Sequence, residues 1–444
     1  MASEEAGGTA SVQDFRWERW LDQCVESYFV SVFRPELQAD ERLRAAYRFA
    51  KVAQSLQAGG QSAQDYLFRQ LEVHDTQRRN TAARVLSDMV DETSVQTLLH
   101  AYIRPEPLWL SPSHLVRAAR RIPLDPELVT LLPTASRRVR PSLLRGLLAH
   151  ERPSARSLFE RLLDGADAPM AEAAVEAVAR WNNRGALWMV LYKVDGTDEP
   201  PPALIPAAIR AAQWLASSGD RAALDWLEER TGDVDLEIAA LAHSALGLLG
   251  WGGCVVDLEA LLDEADGAAL SWTLEAASHL GSGALVPALC GVVRRFAMVD
   301  DDVTSDSPSD QAIRVLERLT GRWVPVELSS YDIHGNYDAA TRMRSALLFS
   351  AMADDLDPDL RYLEGEPLCP HHLVGELLSP YPPRALRAAI QLVSITGEDH
   401  GYDVREDLVG NVDALQAWRG SWGEAREGGA GRWTWRAASD RSPG

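Results

Sequence analysis

The chain has 444 residues, 46% of them hydrophobic, enough to bury a substantial core in one or more domains. Its formal charge of −21 excludes a whole-chain cationic field of the kind that holds nucleic acid or anionic lipid. The charge is uneven. Residues 1–160 hold 21 of the 44 basic and 20 of the 65 acidic side chains, so the acidic excess lies beyond them.

The opening residues, Met1 to Ala10, are small and acidic, without the basic and apolar regions of a signal peptide. No apolar run approaches the roughly 20 residues of a membrane span. Four cysteines without a C-x-x-C pair do not make a disulfide framework. These features predict a soluble, cytoplasmic protein with no membrane partner.

Residues 1–74 carry aromatic-rich helical segments, Phe15–Leu21 and Tyr28–Phe33, and predict a divergent N-terminal cap. From 75 to 296 an Ala-rich amphipathic segment recurs, ending in Leu followed by Gly and then by a second apolar helix. Ala208–Leu215 runs to Gly219, Ala239–Leu246 to Gly250, and Leu274–Leu280 to Gly281. The two steps between these glycines are 31 residues each, and earlier segments at 81–86, 115–120, 143–149 and 174–181 keep a similar spacing. Small residues at i and i+3 or i+4 let helices approach closely, and glycine closes a helix end in the left-handed conformation. Each unit therefore reads as a helical hairpin that must stack on neighbours to bury its faces. Strand signals are nearly absent, so the expected fold is all-α.

This pattern resembles the HEAT-like repeats of bacteria, in particular the short Ala- and Leu-Gly-rich kind of the phycobilisome lyases. The resemblance covers about 220 residues and implies an α-solenoid with divergent caps and a concave interaction surface. The family often carries Val-Arg before the Ala-rich helix. Here only Arg79 sits comparably and Glu237 takes the place later, so the later repeats are degenerate.

Residues 297–311 form an acidic, turn-rich stretch, expected as an exposed loop. Residues 312–424 read as degenerate helical repeats, with Thr-Gly helix endings at 320–321 and 396–397. From 425 a Gly/Arg/Ser-rich tail carries Trp433 and Trp435, candidates for a linear motif that anchors in a partner's groove.

Candidate chemistry is sparse. Cys369-Pro-His371-His372 lacks zinc spacing and reads as a helix opening. His400, between Asp399 and Asp403, reads as a loop residue, and the acidic stretch lacks the Gly and Glu of an EF-hand loop. No phosphate-loop, dinucleotide, nucleophile-elbow or zincin motif occurs, so no catalytic residue, cofactor or metal is expected.

Ten arginines stand against four acidic residues between Arg104 and Arg156. Arginine grips carboxylate or phosphate through paired hydrogen bonds. Either this stretch meets a partner, or it pairs with the acidic remainder of the chain. Arg79, Arg84, Arg117, Arg120, Arg145, Arg180 and Arg210 are expected exposed on the concave face. Arg121, Arg137, Arg138 and Arg140 join them as candidate contacts. The favoured expectation is a non-enzymatic scaffold or adaptor, taking an acidic protein partner at its N-terminal half and a basic one at its C-terminal half. The alternatives are a lyase-like chaperone for cofactor attachment, implied by the resemblance alone, and nucleic-acid binding through residues 104–156.

Overall fold

The structure, a computed structural model, describes residues 12–34, 37–89, 91–103, 111, 113–124, 126–133, 135, 139–165, 167–181, 183–197, 200–298, 307–325, 337–379, 382–396, 400–403 and 406–422. These residues are nearly all helical and fall into two compact units. The first comprises 1–186, 378–382 and 401–416; the second comprises 187–377, 383–400 and the chain from 417.

The first unit holds α1 (Val12–Phe33), α2 (Ala39–Gln57), α3 (Gly60–Gln70), α4 (Thr76–Leu86), α5 (Glu92–Ile103) and α6 (Ser113–Ala119). A 3₁₀ turn at Pro126–Leu131 leads to α7 (Arg140–Leu147), α8 (Pro153–Gly165) and α9 (Ala168–Val178), and the chain leaves this unit within α10 (Arg184–Asp195). Helix α4 packs on α6, α6 on α7 and α7 on α9, with α5 and α8 each packed beside a member of that series.

The second unit holds α11 (Leu204–Ser217), α12 (Arg221–Arg230), α13 (Leu236–Leu249), α14 (Val255–Glu264), α15 (Gly267–Leu280), α16 (Val286–Phe296), α17 (Pro308–Thr320) and α18 (Ala339–Ser350). A hairpin of β1 (Tyr362–Leu363) and β2 (Glu366–Pro367) precedes α19 (Pro370–Glu376) and α20 (Pro382–Thr396). The last helix, α21 (Val412–Trp422), gives its residues up to 416 to the first unit. Helices α11, α13, α15 and α17 pack each on the next, and α14, α16 and α18 form a second series.

The small residues do what their spacing implies. Ala171, Ala173, Ala174 and Ala177 on α9, and Ala239, Ala240 and Ala242 on α13, are buried. Gly219, Gly250, Gly281 and Gly321 all take positive φ at helix ends. Aspartates open the helices: Asp75, Asp167, Asp220, Asp235 and Asp338 each accept a main-chain N–H of the first turn. Each such cap is worth about 1 kcal/mol, so part of the acidic excess beyond 160 serves helix starts.

Side-chain bonds repeat at the same interval as the helices. The Trp181 indole donates to the Leu148 carbonyl at 2.9 Å, 33 residues away, and Trp188 donates to Asp220 at 3.0 Å across 32. Trp226 donates to Asp195 at 2.9 Å across 31. These tryptophans tie one hairpin to the next, combining a large apolar surface with one satisfied N–H.

Two expectations need correction. The acidic stretch 297–311 is not an exposed loop at its C-terminal end, where α17 begins. Ser307, Ser309 and Asp310 are buried, and the Arg342 Nε donates to Asp310 Oδ1 at 2.9 Å; residues 299–306 lie outside the described residues. The hairpin was also unforeseen, because two-residue strands have no alternation to read. Its turn residues, Glu364 and Gly365, have positive φ, and their N–H groups donate to the Arg318 and Leu319 carbonyls near the end of α17. Cys369 stands immediately before α19 with Pro370 at the first position, which is the helix opening its sequence implies. Among the described residues, no helix is long and apolar enough to cross a membrane.

Candidate functional site

The candidate site is built on α4, α6 and the end of α9 in the first unit. Arg84 occupies the last turn of α4, and Asp88 follows it one turn later. Arg117 and Arg120 share one face of α6 and its continuation, with Arg121 beside them, while Arg180 stands two residues beyond α9. Onto these arginines the chain returns nearly 300 residues later with Asp403, Glu406 and Asp407.

The innermost pair is Arg84 with Asp407. Arg84 Nε donates to Asp407 Oδ2 at 2.7 Å and Nη2 to Oδ1 at 3.3 Å, a two-pronged grip; Nη1 donates to Asp88 at 2.5 Å. The Arg84 side chain is 1% exposed. Its guanidinium also lies 5.7 Å from the Phe49 ring centre. Gly410 N–H donates to Asp407 Oδ1 at 2.8 Å, and the Tyr28 hydroxyl also hydrogen-bonds this carboxylate.

The outer pairs lie closer to solvent. Arg117 Nε donates to Asp88 Oδ1 at 2.5 Å and its Nη1 to Glu406. Arg120 Nη1 donates to Asp403 Oδ2 at 2.8 Å and to Glu406, while Arg180 pairs with the other oxygen of Asp403. Arg121 adds a pair to Asp88 at 3.1 Å. The Arg120 and Arg180 side chains are 18% and 34% exposed. Five guanidinium groups thus face four carboxylates. The returning segment is braced by Asn411, which is buried, accepts from the Asp403 N–H at 2.8 Å and donates to the Asp403 carbonyl at 2.7 Å.

Burial alone would raise the Asp407 carboxyl; the charge and hydrogen bonds of Arg84, with the Gly410 N–H and Arg117, outweigh it and hold it well below the usual range. The same balance holds Asp88 low, through Arg84, Arg117 and Arg121. Burial also works against the charge of Arg84, but Asp407 and Asp88 raise it further above its ordinary value. His114 on α6 is fully buried beside this group. Burial first, and then the charge of Arg84, push it down to about 3, so it is neutral at physiological pH; its Nε2 has no hydrogen-bond partner among the described residues.

The structure therefore brings together Arg84, Arg117, Arg120, Arg121 and Arg180. The expected exposure fails at Arg84, which is buried, and Arg117 and Arg120 are mostly covered. The reason is the returning carboxylate segment, which lies across their inner faces. Arg145 pairs with Glu176 at 2.7 Å, and Arg79 Nη2 donates to Thr76 at 3.0 Å. Arg140 donates to the Pro133 and Ala135 carbonyls, both at 3.2 Å. Arg210 belongs to the second unit, where it donates to Gln213 at 2.8 Å. Arg137, Arg138, Trp433 and Trp435 lie outside the described residues. The acidic half of the network escaped the sequence reading. Only the acid-rich composition after the second Thr-Gly ending pointed at it, and sequence separations of 223–323 residues hid the pairing.

No known protein family matches the chain, and no curated protein does. Among solved structures it is similar to a crystal structure of an engineered protein from a structural-genomics consortium. The likeness has 15% identity, covers 85% of this chain and 98% of that one, and has a TM-score of 0.26. At that score it carries no argument about shape or activity.

Proposed function

We propose that the chain is an interaction scaffold, an α-solenoid of HEAT-like hairpins that works by binding proteins rather than by catalysis. The observation that carries this reading is the row of arginines on α4, α6 and the end of α9 in the first unit, already gripping three carboxylates of a remote segment. A surface that orders an acidic stretch in this way has the charge and the hydrogen-bond geometry to recognise one.

The test is affinity capture with the full chain as bait, followed by mass spectrometry, beside a chain lacking residues 425–444. A stoichiometric protein partner retained at about 150 mM salt is expected. Failure to retain one from its native host overturns the scaffold reading, and loss confined to the shortened chain assigns the contact to the tail tryptophans.

A further inference from the structure

The network divides into an inner pair and an outer group with different consequences on separation. Arg84 is 1% exposed and Asp407 15%, so parting them would leave a buried guanidinium with Asp88 alone. Arg117, Arg120 and Arg180 stand nearer to solvent, at 17%, 18% and 34% exposed against 1% for Arg84. Three arginines there face the two carboxylates of the returning segment, with Arg117 also shared by Asp88. Lifting Asp403 and Glu406 would leave that excess of positive charge uncovered, a state that only an incoming anion relieves.

Resting on the scaffold reading, we propose that Asp403 and Glu406 are an internal occupant of a carboxylate-binding groove. An acidic segment of a partner protein, with carboxylates three residues apart, exchanges with them on Arg117, Arg120 and Arg180. Asp407 stays on Arg84 as the anchor about which the segment lifts. Carboxylate rather than nucleic acid is the fitting ligand. The groove already seats two carboxylates at the i and i+3 spacing, and Asp88 and Asp407 remain beside it to repel a continuous phosphate backbone.

The experiment uses the full chain and a labelled peptide of about 12 residues carrying Asp-x-x-Glu, followed by anisotropy at about 50 mM salt. The D403N/E406Q variant, which keeps the side-chain shapes and removes both charges, is expected to bind at least about tenfold tighter than the unaltered chain. Adding R120Q and R180Q should abolish that gain, and an Asn-x-x-Gln peptide should bind none of them. Equal binding by the variant and the unaltered chain overturns the exchange. So does single-stranded DNA that binds the variant as tightly as the acidic peptide, which makes the groove a general polyanion site. Should the variant unfold, hydrogen exchange on the unaltered chain decides: saturating peptide should speed exchange of the Asp403 and Glu406 N–H groups, now held by Asn411 and the Asp403 carbonyl, and unchanged protection overturns the proposal. A partner captured by the full chain despite that result leaves the scaffold reading standing, so the two failures are separable.

Discussion

The arginine cluster of the first unit and two arginines of the second, Arg361 and Arg295, are satisfied differently, although the second unit also pairs Arg342 with Asp310. In the first, Arg84, Arg117, Arg120 and Arg180 meet carboxylates. In the second, Arg361 Nε donates to the Leu280 carbonyl at 2.8 Å and its Nη2 to the His279 carbonyl at 3.2 Å, at the end of α15. Arg295 likewise donates to the Leu262 and Ala265 carbonyls at the end of α14, at 3.0 and 2.8 Å. The final carbonyls of a helix lack intrahelical partners and sit at the negative end of its dipole, so a guanidinium there is favourable without any acid. Burial lowers Arg361 to about 10, which still leaves it charged at neutral pH. The contrast is between partners that titrate and partners that do not.

The largest test of that contrast is Asp407→Ala. It takes the two-pronged partner from buried Arg84, leaving Asp88 alone to compensate it, and should cost about 3 kcal/mol in denaturant unfolding. The compensating double variant, Arg84→Met with Asp407→Leu, should recover much of the loss. A double variant no better than the single would show that the pair matters beyond charge compensation.

Acid offers the next largest effect. His114 in the first unit is held at about 3, and His243 in the second, buried beside Asp257, at about 4. Both lie below the ordinary value near 6.5, so the unfolded chain takes up protons that the folded chain refuses. Stability is therefore complete above about pH 6.5 and falls as pH drops toward each folded value, by about 1.4 kcal/mol per pH unit for each histidine. Below about pH 4 the first unit also begins to lose the stabilisation from Asp88 and Asp407, whose folded values are lowered. His114→Gln should flatten the slope of urea midpoints between about pH 6.5 and 4 by roughly half, leaving the His243 part.

In the second unit, Arg361→Ala removes two hydrogen bonds from a charged donor and should cost about 2–3 kcal/mol. Because its partners are main-chain carbonyls, the penalty should be the same at pH 7 and pH 5. A penalty that shrinks with acid would reveal a titrating partner at Arg361 and erase its contrast with Arg84.

The smallest effects belong to the helix-ending glycines. At Gly219, with φ +89° and open space around an added Cβ, alanine should cost only the left-handed strain, about 1 kcal/mol. At Gly281 the added Cβ would also stand 2.5 Å from the Tyr362 carbonyl oxygen, so Gly281→Ala should be clearly worse in the same thermal melts. Equal penalties would mean that the Tyr362 strand yields freely.

The helices and the 31-residue rhythm were legible in the chain, because small-residue spacing, aspartate caps and terminal glycines act within a few residues of one another. Gly219, Gly250 and Gly281 ended their helices where the pattern placed them. The tryptophan bonds between hairpins follow from the same interval. The site was legible only by half. An excess of arginine marks a demand for negative charge, but nothing local says which carboxylate will supply it. Asp310 shows the same limit: its neighbours read as a solvated loop, and Arg342 and the Tyr337 N–H, 32 and 27 residues on, make its burial tolerable. Local pattern determined which segments became helices. Which buried charges were met by carboxylates, and which by the bare ends of helices, was decided by tertiary structure, because charge compensation depends on distance in space and not along the chain.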